Sequence, residues 1–136
     1  MNDSDVLAIQ RLLSDFAWHA DRGEADHLAQ LFLLDGSLHV GGKKLLGRQQ
    51  IADDCRERAA VAGRKTRHTW SNLRVEATGP GTASATAIQF TYEQRADRPV
   101  ELRINDLADL LIKDGDGRWR FARRTVSRQM QLQYPT

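Results

Sequence analysis

The stretch Lys65-Thr66-Arg67-His68-Thr69-Trp70-Ser71-Asn72-Leu73-Arg74-Val75-Glu76-Ala77, with Gly79-Pro80-Gly81 and then Thr82-Ala83-Ser84-Ala85-Thr86-Ala87-Ile88-Gln89-Phe90 behind it, decides the fold. Upstream, apolar residues recur every three or four positions. From Thr66 onward they recur at every second position, the period of a strand whose side chains point to alternate faces. The period predicts strands over 65–77, 82–94, 100–113 and 119–131. Gly79-Pro80-Gly81, Ala96-Asp97-Arg98-Pro99 and Asp114-Gly115-Asp116-Gly117 separate them. All three breaks are turn chemistry of the kind that joins antiparallel neighbours.

Towards the N-terminus the pattern is helical. Val6, Ile9, Leu13, Phe16 and Ala20 lie on one face of a helix over 4–22, which Asn2, Asp3 or Ser4 can cap and Gly23 ends. A short helix over 24–33 carries Leu28, Leu31 and Phe32. Ser37-Leu38-His39-Val40 alternates as a strand, and Gly41-Gly42 turns it into Lys44-Leu45-Leu46. A third helix over 48–62 sets Ile51, Cys55, Ala59 and Ala62 on one side, with Cys55 a core residue rather than a nucleophile. Helices first and a meander of long strands second predict an α+β fold, the helices packed on one face of a curved antiparallel sheet. The second face of that sheet also carries apolar residues, among them Leu102, Ile104, Ala108, Leu110 and Ile112, which predicts a homodimer.

Composition narrows the function classes. The 136 residues suffice for one domain, 1–136, with 40% hydrophobic and 28% charged residues as in ordinary soluble proteins. No apolar run is long enough to span a membrane. Met1-Asn2-Asp3-Ser4-Asp5-Val6 lacks the basic start and apolar run of a signal peptide, and a single cysteine forms no internal disulfide; both point to the cytoplasm. The net charge of +2 hides an asymmetry: residues 1–35 hold seven acids and two bases, residues 36–67 eight bases and three acids. Those bases sit among acids without interleaved aromatics, so nucleic acid is not the expected partner.

Two residues stand out as chemistry. Asp21 falls in the last turn of the first helix, where a carboxylate costs about 0.3–1 kcal/mol against the helix dipole. Arg22, solvent, or a buried partner such as His68 or Arg124 could offset that cost. His68 opens a long strand on the same face as Trp70 and Asn72, while Leu73 and Val75 require a register slip such as a bulge. An Asp–His pair in an apolar pocket is a general acid or base near neutral pH. His19, His27 and His39 read as surface or solvated residues. There is no nucleophile elbow, no GxGxxG, no P-loop and no His spacing of a metal site, so neither metal nor cofactor is expected.

Five pieces in order resemble the SnoaL-like branch of the NTF2-like superfamily. They are Ala20-Asp21-Arg22-Gly23-Glu24, Leu28-Ala29-Gln30-Leu31-Phe32-Leu33-Leu34-Asp35-Gly36, Leu46-Gly47-Arg48-Gln49-Gln50-Ile51, Thr66 to Val75, and Asp109-Leu110-Leu111-Ile112 with Gly117 to Arg124. The resemblance implies a cone-shaped α+β barrel with an internal pocket. Its enzymes, such as scytalone dehydratase, hexachlorocyclohexane dehydrochlorinase and bile-acid dehydratase, use an Asp–His pair. Asp21 and His68 match that pair, and Arg124 matches an arginine some members place in the pocket. The chain departs from the pattern in its tyrosines, only Tyr92 and Tyr134, and in Phe16 standing where the dehydrochlorinases have a lysine.

These readings together predict a cofactor-independent lyase of dehydratase type, or an isomerase, acting on a small cyclic, largely apolar substrate. Asp21 and His68 are the expected catalytic pair. Trp18, Leu46 and Trp70 are the expected apolar walls, and Asn72, Asn105 or Arg124 the groups that polarise a substrate oxygen. The alternative is a non-catalytic ligand-binding or assembly domain of the same fold.

Overall fold

Asn2 starts the first helix, α1 (Asp3–Asp21): its side chain accepts from the Asp5 N–H at 2.9 Å, and the Asp5 carboxylate accepts from the Asn2 N–H at 3.2 Å. This reciprocal cap satisfies two donors that a helix start leaves without partners. Ile9, Leu12, Leu13 and Phe16 form its buried stripe. Just past the helix, Gly23 adopts φ +65°, and a Cβ there would lie 2.8 Å from the Ala59 Cβ. Only glycine meets both the left-handed backbone and that close approach.

The remaining elements follow as α2 (Ala25–Gln30), β1 (Phe32–Val40), β2 (Lys43–Leu46), α3 (Gly47–Ala59), β3 (Lys65–Gly79), β4 (Thr82–Arg95), β5 (Arg98–Lys113) and β6 (Trp119–Gln133). This computed structural model describes residues 1–134. The largest departure from the sequence reading is at β1, which begins at Phe32 rather than near residue 37. The Leu31 carbonyl accepts from the Phe121 N–H at 2.9 Å and Arg48 Nε donates to the Phe32 carbonyl at 2.9 Å, so pairing with β6 cuts α2 short. A Cβ on Gly36 would lie 2.9 Å from the Phe121 carbonyl oxygen, and the register shifts between Phe32 and Ser37.

The six strands form one curled, unclosed sheet in the order β2-β1-β6-β5-β4-β3. Every pair is antiparallel except β1 with β6, which is parallel. The sheet is therefore mixed, a point that the alternation within each strand cannot reveal. The sheet curls around α1, which touches both β3 and β6, while α3 lies on β1. This is the α+β cone that the resemblance implied.

The inner face of β4 and β5 is graded along its length. Near the base, Ala83, Ala85, Ala87, Leu107 and Leu111 join Ile9, Leu13, Phe16, Phe32 and Phe121 in the core. Higher up, Gln89 pairs with Asn105, then Thr91 with Arg103, then Glu93 with Glu101. Gln89, Thr91, Glu93 and Asn105 are all buried. Over the same height, the neighbours in the alternation lie on the other face: Phe90 pairs with Ile104 and Tyr92 with Leu102, which is itself buried. Tyr92, Leu110, Met130 and Leu132 stand exposed on the outer surface. Among the described residues no helix is long and apolar enough to cross a membrane.

Candidate active site

Asp21 is the final residue of α1, and Thr66 and His68 are inward-facing residues at the start of β3. The helix end is thereby set against the strand, and the carboxylate is held from three sides. The His68 backbone N–H donates to Oδ2 at 2.9 Å, the Thr66 hydroxyl donates to Oδ1 at 3.0 Å, and His68 Nδ1 meets Oδ1 at 2.5 Å. Burial pushes the Asp21 carboxyl up, but the hydrogen bonds and charge interaction with His68, with the Thr66 hydroxyl, outweigh it and hold the group below its usual range. The unfavourable position at the helix end is thus offset by His68 and Thr66; Arg22 instead stacks its guanidinium on the Trp18 ring at 3.3 Å.

His68 lines an internal cavity of about 60 Å³. Phe16, Leu38, Val40 and Val126 form its apolar side, and Gln89, Thr91, Asn105, Arg58, Arg64 and Arg103 its polar side. With Nδ1 bonded to a carboxylate, the proton of a neutral ring belongs on Nδ1, which leaves Nε2 as the basic atom. Asn105 Nδ2 donates to Gln89 Oε1 at 3.3 Å, so the two amides hold each other in place. The Cys55 thiol, pushed up by burial, sits at the cavity wall as part of the core.

The other residues singled out from the sequence are dispersed. Asn105 lines the cavity. Asn72 does not: the register shifts between Ser71 and Arg74, and Asn72 takes φ +57° at that bulge and is exposed. The slip that the apolar pattern required is there, and it turns Asn72 outwards. Leu46 is 59% exposed, because Leu45 is the residue of β2 that packs on the core. Trp18 and Trp70 line an outer groove that reaches Asp21 and His68 from the far side, with Trp70 Nε1 donating to Ser14 Oγ at 3.1 Å.

Arg124 is fully buried and is bonded to Asp109 through Nε at 2.9 Å and Nη2 at 3.2 Å. Its guanidinium also lies over the rings of Phe16 and Phe121, at 4.4 and 4.6 Å. It is a core ion pair, not a cavity group.

Sequence reasoning passed over Gln89, Thr91, Arg103, Arg58 and Arg64. Glu93 anchors the basic side chains at the cavity mouth, with Arg95 Nε at 2.6 Å and Arg103 Nη2 at 3.1 Å. Burial raises its pKa, and those two hydrogen bonds with the charges of Arg103 and Arg64 more than reverse this, to about 2. His19, Glu24 and His27, with no ligand spacing in sequence, bring their donor atoms within 4.8 Å of one another. His19 Nδ1 lies 3.1 Å from Glu24 Oε1, and the two imidazoles stack at 5.2 Å. Rings stacked in this way must rotate before both can share one cation. The cluster opens on a separate depression beside Trp119 and Arg120.

A curled sheet around a helix, a cavity inside the cone and a His–carboxylate pair in its wall define a class of small α+β proteins. The chain belongs to the SnoaL-like domain family, whose model matches residues 4–125. Among solved structures it is similar to a candidate scytalone dehydratase from Novosphingobium aromaticivorans, at 22% identity and a TM-score of 0.87, covering 98% of this chain and 89% of that one. A hexachlorocyclohexane dehydrochlorinase, LinA type 2, gives 18% identity and a TM-score of 0.87, covering 97% and 90%. A Mycobacterium tuberculosis protein of unknown function gives 24% identity and a TM-score of 0.82, covering 92% and 72%. No curated protein matches the sequence.

Proposed function

We propose that this chain is a cofactor-independent lyase or isomerase, with His68 as general base and Asp21 as the group that orients it. The contact between His68 Nδ1 and Asp21 Oδ1 carries the proposal, because it leaves Nε2 to work at the cavity. Nε2 takes a proton from a carbon next to a carbonyl or a leaving group. The electron pair left behind either expels the leaving group to form a double bond, or is reprotonated at another carbon. Asp21 stabilises the imidazolium formed in the first step, and Asn105 or Gln89 can donate an amide N–H to a developing oxyanion. The dehydratase and dehydrochlorinase among the similar structures support the lyase kind of reaction.

The test is a panel of small cyclic hydroxyketones, lactones and β-substituted ketones, screened first for thermal stabilisation and then by mass spectrometry. At least one stabilising compound is expected to be consumed, by loss of water or acid or by conversion to an isomer of equal mass. Stabilisation throughout the panel without consumption would replace this reading by the ligand-binding one. That second reading is favoured by one observation: both tyrosines, Tyr92 and Tyr134, are exposed rather than placed at the cavity.

We also propose a homodimer through the outer face of β4, β5 and β6, where Tyr92, Leu110, Met130 and Leu132 leave apolar surface in water. Light scattering on a sizing column is expected to return twice the 15.4 kDa chain mass at micromolar concentration. A single-chain mass would refute the dimer.

A further inference from the structure

Above the cavity lies a bowl of about 340 Å³ that shares Val40, Arg58, Arg64 and Arg103 with it. Seven basic side chains line this bowl, Lys43, Arg58, Arg64, Arg95, Arg98, Arg103 and Arg128, against three acids, Asp54, Glu93 and Glu101. The acids already have partners. Glu93 is held by Arg95 and Arg103, Glu101 by Arg103, Gln131 and Gln133, and Asp54 by a hydrogen bond from Lys43 and an ion-pair contact with Arg58. Arg98 is drawn to Asp97 outside the bowl, which still leaves cations in excess.

Two of these guanidinium groups are short of hydrogen bonds. Arg64 Nε and Arg58 Nε are buried without a hydrogen-bond partner, although Glu93 Oε1 lies 3.4 Å from the first and Asp54 Oδ2 2.9 Å from the second. Arg64 is 9% exposed and its ionisation is opposed by burial and by the like charges of Arg58, Arg95 and Arg103, with Glu93 in its favour. Crowded cations whose buried Nε–H groups make no hydrogen bond are a poor arrangement for stability and a ready one for an anion. Size points the same way. About 60 Å³ admits only a small reacting group, well below the roughly 300–1,000 Å³ of ordinary ligand pockets, so the rest of a substrate must lie outside it, and the bowl is the strongly basic one of the depressions that adjoin it.

We propose that the bowl is an anion subsite: the substrate carries a carboxylate or phosphate that docks on Arg58, Arg64 and Arg103, while its ring reaches past Val40 towards His68. This deepens the catalytic reading and rests on it for the word substrate; the anion subsite itself stands on the basic bowl alone.

Calorimetric titration at pH 8 with benzoate, phenyl phosphate and neutral benzamide tests it. One anion per chain is expected to bind, at least about tenfold tighter than benzamide, as for hydrogen bonds to a charged group. The tighter of the two anions identifies carboxylate or phosphate as the natural group. Arg64→Gln and Arg58→Gln are each expected to weaken that binding about tenfold. The second variant, at a more exposed side chain, guards against a folding defect in the first. Equal affinity for benzamide, no binding of either anion, or unchanged binding in both arginine variants would overturn the proposal. Turnover of a neutral compound without anion binding would leave the catalytic reading intact, whereas anion binding without turnover of any compound would leave only the subsite.

Discussion

Replacing His68 by alanine is expected to lower turnover of any consumed substrate by about 10²–10⁴-fold, the usual contribution of a positioned acid or base. The fold should survive, because His68 lies at the cavity wall and belongs to no apolar cluster of the core. Circular dichroism should therefore match that of the parent chain, while the unfolding midpoint should fall modestly, because the buried Asp21 carboxylate loses the imidazole it is paired with. Asp21→Asn is the companion measurement. It keeps a similar shape beside Nδ1 while removing the charge that stabilises the imidazolium, so the rate should fall with the fold intact.

The charge of Asp21 sets no limit at ordinary pH. Its folded pKa is depressed below 3.8, so its contribution to stability is complete above about pH 4 and disappears as pH falls through the lower folded value. Equal rates in the parent, His68→Ala and Asp21→Asn chains would remove the mechanism.

Arg124→Ala is expected to destabilise the chain by about 3–5 kcal/mol, the range found when one partner of a buried ion pair is removed. Both side chains are 1% exposed, and burial already pushes the Asp109 carboxyl up. The truncation leaves that carboxylate buried without its cation and takes the guanidinium from between Phe16 and Phe121. Replacing the pair together, Arg124→Met with Asp109→Leu, should recover most of the loss, because apolar side chains of similar size need no mutual compensation. Urea unfolding of the three variants measures both effects. A loss below about 1 kcal/mol in Arg124→Ala would show that the pair is dispensable.

The elements were legible where one rule acted alone. The stripe through Ile9, Leu13 and Phe16 sets α1, and the glycine and proline breaks set the long strands. Asp21 and His68, 47 residues apart, stood out because each sat badly in its local pattern: a carboxylate at a helix end, and a histidine beside a register slip. The parallel joining of β1 to β6 had no local signal, since it depends on chain segments far apart.

The polar half of the cavity was hidden for a different reason. Over Ile88 to Glu93 the alternation is inverted, with Phe90 and Tyr92 outside and Gln89, Thr91 and Glu93 inside. A reading that sends polar residues to solvent misplaces them. Strict alternation from His68 and Trp70 put Asn72 on the inner face, and Leu46 was taken for Leu45, because a shift of one residue exchanges the faces of a strand. Arg124 was named through the resemblance, but its partner, Asp109, lay on the neighbouring strand.

The gradient along β4 and β5 separates two kinds of evolutionary change. Ala83 and Gln89 lie six residues apart on one strand face, roughly 20 Å at about 3.3 Å per residue. Substitutions that far apart act nearly independently. Exchanges at Thr91 and Arg103 can therefore alter the polar wall of the cavity while Ala83, Ala85 and Leu111 below keep the core as it is. The wall of such a cavity can be recut without first rebuilding the scaffold beneath it.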